Sequence, residues 1–201
     1  MTNKNALQPT IPIAIFASGA GSNALTIIDT LAAKNSPIKV ALIVCNNPAA
    51  GVLAIAQKKG IPTLLIEKEP FFRGNAYVAE LQAHHIHFIV LAGFLWKIPP
   101  VLIKAFEHKI INIHPALLPK YGGKGMYGQR VHQAVIDHGD TQSGISIHWV
   151  DEQYDHGNII FQATCPVLLT DTSHTLAQRI HALEHTHYAR VIQELLINQS
   201  K

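Results

Sequence analysis

The chain is constrained first by a rhythm. Short apolar runs rich in β-branched residues recur through its first half, separated by longer segments of helical period. The runs are Ile11 to Ala17, Ile38 to Cys45, Thr63 to Ile66, Phe88 to Ala92 and Lys109 to Ile113. The spacing predicts helices over Asn23 to Lys34, Ala49 to Lys59, Phe71 to His84 and Pro99 to Phe106. Strands that run parallel need such crossovers, and helices on both faces leave them almost continuously apolar. Lys59-Gly60-Ile61-Pro62 reads as a helix stop followed by a strand start, since glycine suits the position after a helix and proline will not continue one.

After Ile113 the rhythm changes. A glycine-rich loop, PKYGGKGMYG, leads to a helix over Gln129 to Asp137, and the runs GISIHWV and NIIFQATCPV suggest a hairpin joined by DEQYDHG. A last amphipathic segment, Thr172 to Ile197, repeats Leu176, Ile180, Leu183, Ile192 and Leu196 at helical intervals. The expected fold is therefore α/β: a doubly wound, Rossmann-like open sheet, mostly parallel, with helices on both faces and a mixed C-terminal half. No linker or internal repeat divides the 201 residues, so one domain is expected, with residues 1–10 a loose N-terminal extension.

A composition of 48% hydrophobic and 14% charged residues excludes a disordered chain. The formal charge of +3 is spread along the sequence; a nucleic-acid surface needs a denser basic stripe, so the charge suits a small anionic ligand at most. No apolar stretch approaches the length that spans a bilayer. Cys45 and Cys165 lie far apart in apolar surroundings, the pattern of two buried thiols in a reducing cytoplasm.

Two motifs carry chemistry. In FASGAGSNAL, a strand runs through Ser18-Gly19-Ala20-Gly21-Ser22-Asn23 into a helix. Glycines let the backbone approach a ligand, and the open amides of a helix start favour an anion. The same residues pass as a dinucleotide fingerprint, but the second strand ends Cys45-Asn46-Asn47-Pro48, without the carboxylate that would hold a ribose. A phosphate site is favoured over a dinucleotide site, and a turn chosen only for packing remains open.

Downstream, IINIHPALLPKYGG places Asn112 and His114 two residues apart on a predicted strand, so both side chains leave one face. Asp155 in the hairpin loop can complete a trio. An amide donor, an imidazole and a carboxylate suit acyl or formyl transfer: donors stabilise the oxygen on which charge develops, and the carboxylate keeps the imidazole protonated and relays a proton. Asn and His at a strand end also serve as turn and capping residues, and that reading stays open on these residues alone. His181-x-x-Glu184-His185 matches an inverted zinc-protease pattern, but only 16 residues follow His185, too few for the usual third ligand. No metal is expected.

With these residues in view the sequence resembles the glycinamide ribonucleotide formyltransferases, folate-dependent enzymes of purine biosynthesis. SGAGSN, VLAGF, INIHPALLPKY, SIHWVDEQYDHG and LEH occur in the family's order. The resemblance implies the formyltransferase fold and transfer of a formyl group from 10-formyltetrahydrofolate, as co-substrate, to the amine of glycinamide ribonucleotide, by a monomer or homodimer. Asn112, His114 and Asp155 match the catalytic trio. Gly21, Ser22, Asn23 and Glu184 match positions that hold the ribonucleotide. Leu95, Trp96, Lys97 and Ile98, with Asn112, match the pterin pocket, and Arg73 matches a contact to the folate tail. Trp96 and Lys97 depart from the arginine many members carry there; the long glycine loop offers Lys124 and Tyr127 as further substrate residues, but glycine-driven mobility alone is the favoured reading of it. Related formyl enzymes add a nucleic-acid-binding or a regulatory domain; this sequence stops at its last helix, and neither addition is expected.

Overall fold

A computed structural model describes residues 10–33 and 36–198. The expectation of a loose extension over residues 1–10 therefore falls outside the described residues, Thr10 excepted, as does Lys34 at the end of the first expected helix. The five expected parallel strands form as β1 (Ile11–Ala17), β2 (Ile38–Cys45), β3 (Thr63–Leu65), β4 (Phe88–Leu91) and β5 (Ile110–His114). The hairpin follows as β6 (Gln142–Trp149) and β7 (Ile159–Pro166), and the sheet order is β3-β2-β1-β4-β5-β6-β7. The pairs β1–β2, β1–β4, β2–β3 and β4–β5 are parallel, whereas β5–β6 and β6–β7 are antiparallel.

Helices α1 (Ser22–Ala33) and α2 (Gly51–Lys59) cover one face of the sheet with α6 (Gln129–Asp137) and α7 (Ser173–Asn198). The other face carries α3 (Lys68–Arg73), α4 (Ala76–Ala83) and α5 (Pro100–Ala105). Successive β1 residues serve the two cores in turn, Ile13, Ile15 and Ala17 one, Ala14 and Phe16 the other. This two-sided burial is why the run is apolar without alternation.

Local chemistry sets the element ends. Gly60 adopts φ 66° after α2, its N–H reaching Gln57 O at 3.1 Å while the Ile61 N–H reaches Ala56 O at 2.9 Å, a Schellman stop that glycine permits. At the start of α7 the Thr172 Oγ1 accepts from the Thr175 N–H at 3.2 Å, and the Thr175 Oγ1 accepts from the Thr172 N–H at 3.0 Å, a reciprocal cap.

One expected helix is corrected. Phe71 to His84 is two helices, because Gly74 leaves the helix in an extended conformation (φ −119°, ψ 178°) with its N–H on Pro70 O, and α4 restarts after Asn75. Phe71 and Leu81 are buried in the same core from either side of the break, so their periodicity reads through it.

The buried stripe of α7 runs through Leu176, Ile180, Glu184, Tyr188, Ile192 and Leu196, while Leu183 is half-buried. Tyr188 donates its phenol to the Leu91 carbonyl at 2.8 Å, tying α7 to the end of β4. Replacing it by phenylalanine leaves that buried carbonyl without its partner, and urea titration should show a loss of about 1–2 kcal/mol.

His132 of α6 is 2% exposed, and its Nδ1 is buried without a partner. Burial lowers its pKa from 6.5 to about 4, helped by the fields of His181 and His114. The unfolded chain thus takes up this proton first: the stabilisation is complete above about pH 6.5 and is lost as pH falls towards 4, on the order of 3 kcal/mol in all. His132→Leu should flatten that acid arm in thermal melts run across this range, relative to the unsubstituted protein.

Candidate active site

Strand order reverses between β1 and β4, and the crevice over their carboxyl ends is where open α/β sheets accept ligands. Two loops meet there. The Ser18 N–H donates to Gly93 O at 3.0 Å, and the Leu95 N–H donates to Ser18 Oγ at 2.9 Å. Gly21 adopts φ +82°, and a Cβ on it would stand 2.8 Å from Val52 Cβ. Glycine is required twice over, for the turn and for the close approach of α2.

Beyond the loop, Asn23 Nδ2 donates to Glu184 Oε2 at 2.9 Å, which brings together two of the expected ribonucleotide-binding residues from α1 and α7. Asn23 Oδ1 is buried without a partner, and Glu184 is 6% exposed with its pKa raised by burial against the pull of Asn23. A buried carboxylate with one neutral partner suits a ligand that donates hydrogen bonds. The first amides of α1, which a helix leaves without internal acceptors, lie beside it and are of the kind that can accept an anion.

The second half of the site is built by antiparallel pairing. Across β5–β6, Asn112 stands opposite His148 and His114 opposite Ser146. Ser146 Oγ donates to Ala116 O at 2.7 Å and accepts from the Leu118 N–H at 2.9 Å, clamping the turn that follows His114. The expected trio converges: Asn112 Nδ2 lies 3.4 Å from Asp155 Oδ1, and His114 Nδ1 lies 3.5 Å from Asp155 Oδ2. Asp155 sits at φ 53°, with Oδ2 accepting the Gly123 N–H at 2.9 Å.

His148 joins them and was not anticipated. Its Nε2 is 3.1 Å from Asn112 Nδ2 and 3.6 Å from Asp155 Oδ1, while Nδ1 is 2.8 Å from Trp149 O. A carbonyl only accepts, so Nδ1 carries a proton. The available signal was a histidine within the strand run GISIHWV, two residues after Ser146 and so on the same face.

Burial corrects the expected charge on His114. At 3% exposure its pKa is lowered by desolvation and by His148, which together outweigh Asp155 and the Tyr121 carbonyl that raise it. The shift below 6.5 favours the neutral imidazole near pH 7 over the expected cation. Burial also works against the Asp155 carboxylate, but its neighbours His148 and His114 and the Gly123 N–H hold its pKa below the usual carboxylate range.

Leu95, Trp96, Lys97 and Ile98 line a slot that continues to Asn112, His148 and Asp155. Trp96 lies 5.6 Å from Phe71 and from Phe72, and Lys97 Nζ stands 5.8 Å over the Tyr154 ring. Arg73 is not in that lining; it pairs with Glu69 on the exposed face of α3 at 2.6 Å. Lys124 and Tyr127 are on the glycine loop, Tyr127 exposed beneath the Arg130 guanidinium at 5.3 Å. His181 and His185 are exposed while Glu184 turns inward to Asn23. Among the described residues no helix is long and apolar enough to cross a membrane.

Comparison with known proteins places this geometry. Residues 11–192 match the family described as formyl transferase. The phosphoribosylglycinamide formyltransferase of Bacillus subtilis is 38% identical over 187 residues, 91% of this chain and 93% of that protein. A chloroplastic counterpart from Vigna unguiculata is 42% identical over 91% of this chain, and the chain spans 60% of that relative's length. Among solved structures, phosphoribosylglycinamide formyltransferase from Bacillus halodurans superposes with a TM-score of 0.84 at 34% identity, covering 92% of this chain and 95% of that one. Glycinamide ribonucleotide transformylase 1 from Geobacillus kaustophilus gives 0.85 at 33% identity, over 93% and 99%. Similarity of this extent, carried through both halves of the crevice, makes the chain a member of the formyl transferase family.

Proposed function

We propose that the protein transfers the formyl group of 10-formyltetrahydrofolate to the amine of glycinamide ribonucleotide, as one formyltransferase domain acting in the cytoplasm without a metal. The observation that carries this reading is the convergence of Asn112, His114, His148 and Asp155 beside the slot lined by Leu95 to Ile98. The names of the similar proteins support the two substrates, and two free, buried cysteines suit a reducing compartment.

The residues divide the work. Gly21 and Ser22, with the open amides of α1, hold the ribonucleotide phosphate; Asn23 and Glu184 take hydroxyl or amine donors farther along the substrate. The slot at Leu95 to Ile98 takes the flat ring of the folate, which supplies the formyl group, and Trp96 and Lys97 contact it where other members carry arginine. Arg73 reaches the folate tail only by leaving Glu69.

Asn112 donates its amide to the formyl oxygen as negative charge develops there. His114 begins neutral. Its Nδ1 takes the proton that the attacking amine sheds, and the imidazolium so formed stands beside the oxygen and against Asp155, which stabilises the new charge. The same proton then goes to the departing folate nitrogen. Burial serves this step, because an imidazole already protonated at rest could not accept.

Purified protein with both substrates, in buffer free of metal and ATP, should release folate only when the ribonucleotide is present and yield a product heavier by one formyl group. Folate release without the ribonucleotide would instead indicate a hydrolase and overturn the assignment. His114→Ala should lower kcat by about 10²–10⁴ with ribonucleotide binding preserved in calorimetry; retention of most activity would remove His114 from the mechanism. Asp155→Asn withdraws a group that raises the His114 pKa, so the acid limb of the kcat profile should move to lower pH while the plateau falls. An unmoved limb would mean that another group sets it.

A further inference from the structure

His114 Nε2 is 2.8 Å from the backbone carbonyl of Tyr121. A carbonyl cannot donate, so Nε2 carries the proton and the neutral ring presents a bare Nδ1 towards Asp155. What places that carbonyl is unusual. Tyr121 holds φ 56°, a left-handed conformation that a residue with a side chain rarely adopts, and two contacts fasten it there. Its phenol donates to Asp140 Oδ2 at 2.9 Å, and its ring meets the His138 ring edge-on at 5.6 Å. Asp140 is held in turn by Lys120 Nζ, at 3.1 and 3.3 Å from its two oxygens.

Tyr121 thus spans two environments. Its carbonyl faces the buried imidazole, and its phenol lines a separate cavity of about 310 Å³ with Leu117, Lys120, Asp140 and Ser143.

We propose that Tyr121 is a positioning residue for His114: the Lys120–Asp140 ion pair grips the phenol, the grip fixes the strained backbone, and the carbonyl locks the imidazole as the Nε2–H tautomer. Nδ1 is thereby kept free to take the amine's proton. The inference rests on the formyl-transfer reading only for its kinetic consequence; the tautomer is a property of the folded protein.

The clasp holds its charge state across the working range. The bond from Lys120 keeps the Asp140 carboxyl below the usual carboxylate range, and burial and Asp140 push the Tyr121 phenol up to about 12. The groups that face His114 itself are Asp155 from the hairpin loop, His148 from β6 and His132 from α6. None of these is changed by removing the Tyr121 hydroxyl.

Tyr121→Phe keeps the ring and deletes only the bond to Asp140. The tautomer is read from histidine-15N spectra, with the His114 signals identified by their loss in His114→Asn. We expect the Nδ1–H form of His114 to gain population in Tyr121→Phe. Because the carbonyl raises the His114 pKa, the acid limb of kcat should move to lower pH, and kcat should fall about tenfold with both KM values within about twofold. A lower kcat with an unchanged tautomer and limb would reduce Tyr121 to a structural role and overturn the proposal, as would no change at all. If Tyr121→Phe does not fold, Lys120→Met loosens the same clasp from an exposed position, and the same readouts decide. An altered tautomer in a protein that formylates nothing would uphold the positioning and sink the functional reading.

Discussion

Four polar side chains, two buried and two half-buried, converge at the end of β5, and their coexistence is the constraint on which the rest of the site depends. Asn112, His114, His148 and Asp155 could not each be desolvated alone, because an unpaired buried polar group costs several kcal/mol and a lone buried charge more. Asn112 donates towards His148 and Asp155, and the Gly123 N–H meets the second Asp155 oxygen, with both imidazoles alongside the carboxylate. The antiparallel β5–β6 pairing makes this possible by setting Asn112 directly against His148. A β6 running parallel to β5 would have carried its residues the other way and lost this pairing.

Desolvation then decides the chemistry. Asp155 is close enough to favour a cationic His114, yet burial and His148 prevail in the resting state. The balance leaves a base whose conjugate acid has a carboxylate waiting for it. In the proposed transfer such an arrangement holds no charge until a proton arrives, and it then stabilises that charge where an oxygen becomes negative.

The half of the crevice at Asn23 and Glu184 depends on a different set of contacts. Gly21 lets α2 pack against the loop, Ser18 joins that loop to the one after β4, and Tyr188 secures α7 to the same strand end. With α7 so fixed, Glu184 reaches Asn23 across the crevice. A carboxylate on the buried stripe of a helix is the departure from core packing that the site requires.

Much of this was legible in the sequence. The strands from Ile11 to Ala17 and Ile38 to Cys45 have the bounds that their apolar runs announce, and Gly60 and Thr172 mark helix ends by chemistry confined to a few residues. Spacing alone put Asn112 and His114 on one face, because the two-residue period of a strand is a local property. The break at Gly74 was hidden, since Phe71 and Leu81 share a core across it. His148, the inward turn of Glu184 to Asn23 and the grip of Asp140 on Tyr121 were decided only by tertiary structure, through contacts between distant segments. The charge on His114 was decided there too: sequence names the neighbour that would protonate it, but only the folded chain removes the water that would have kept the proton.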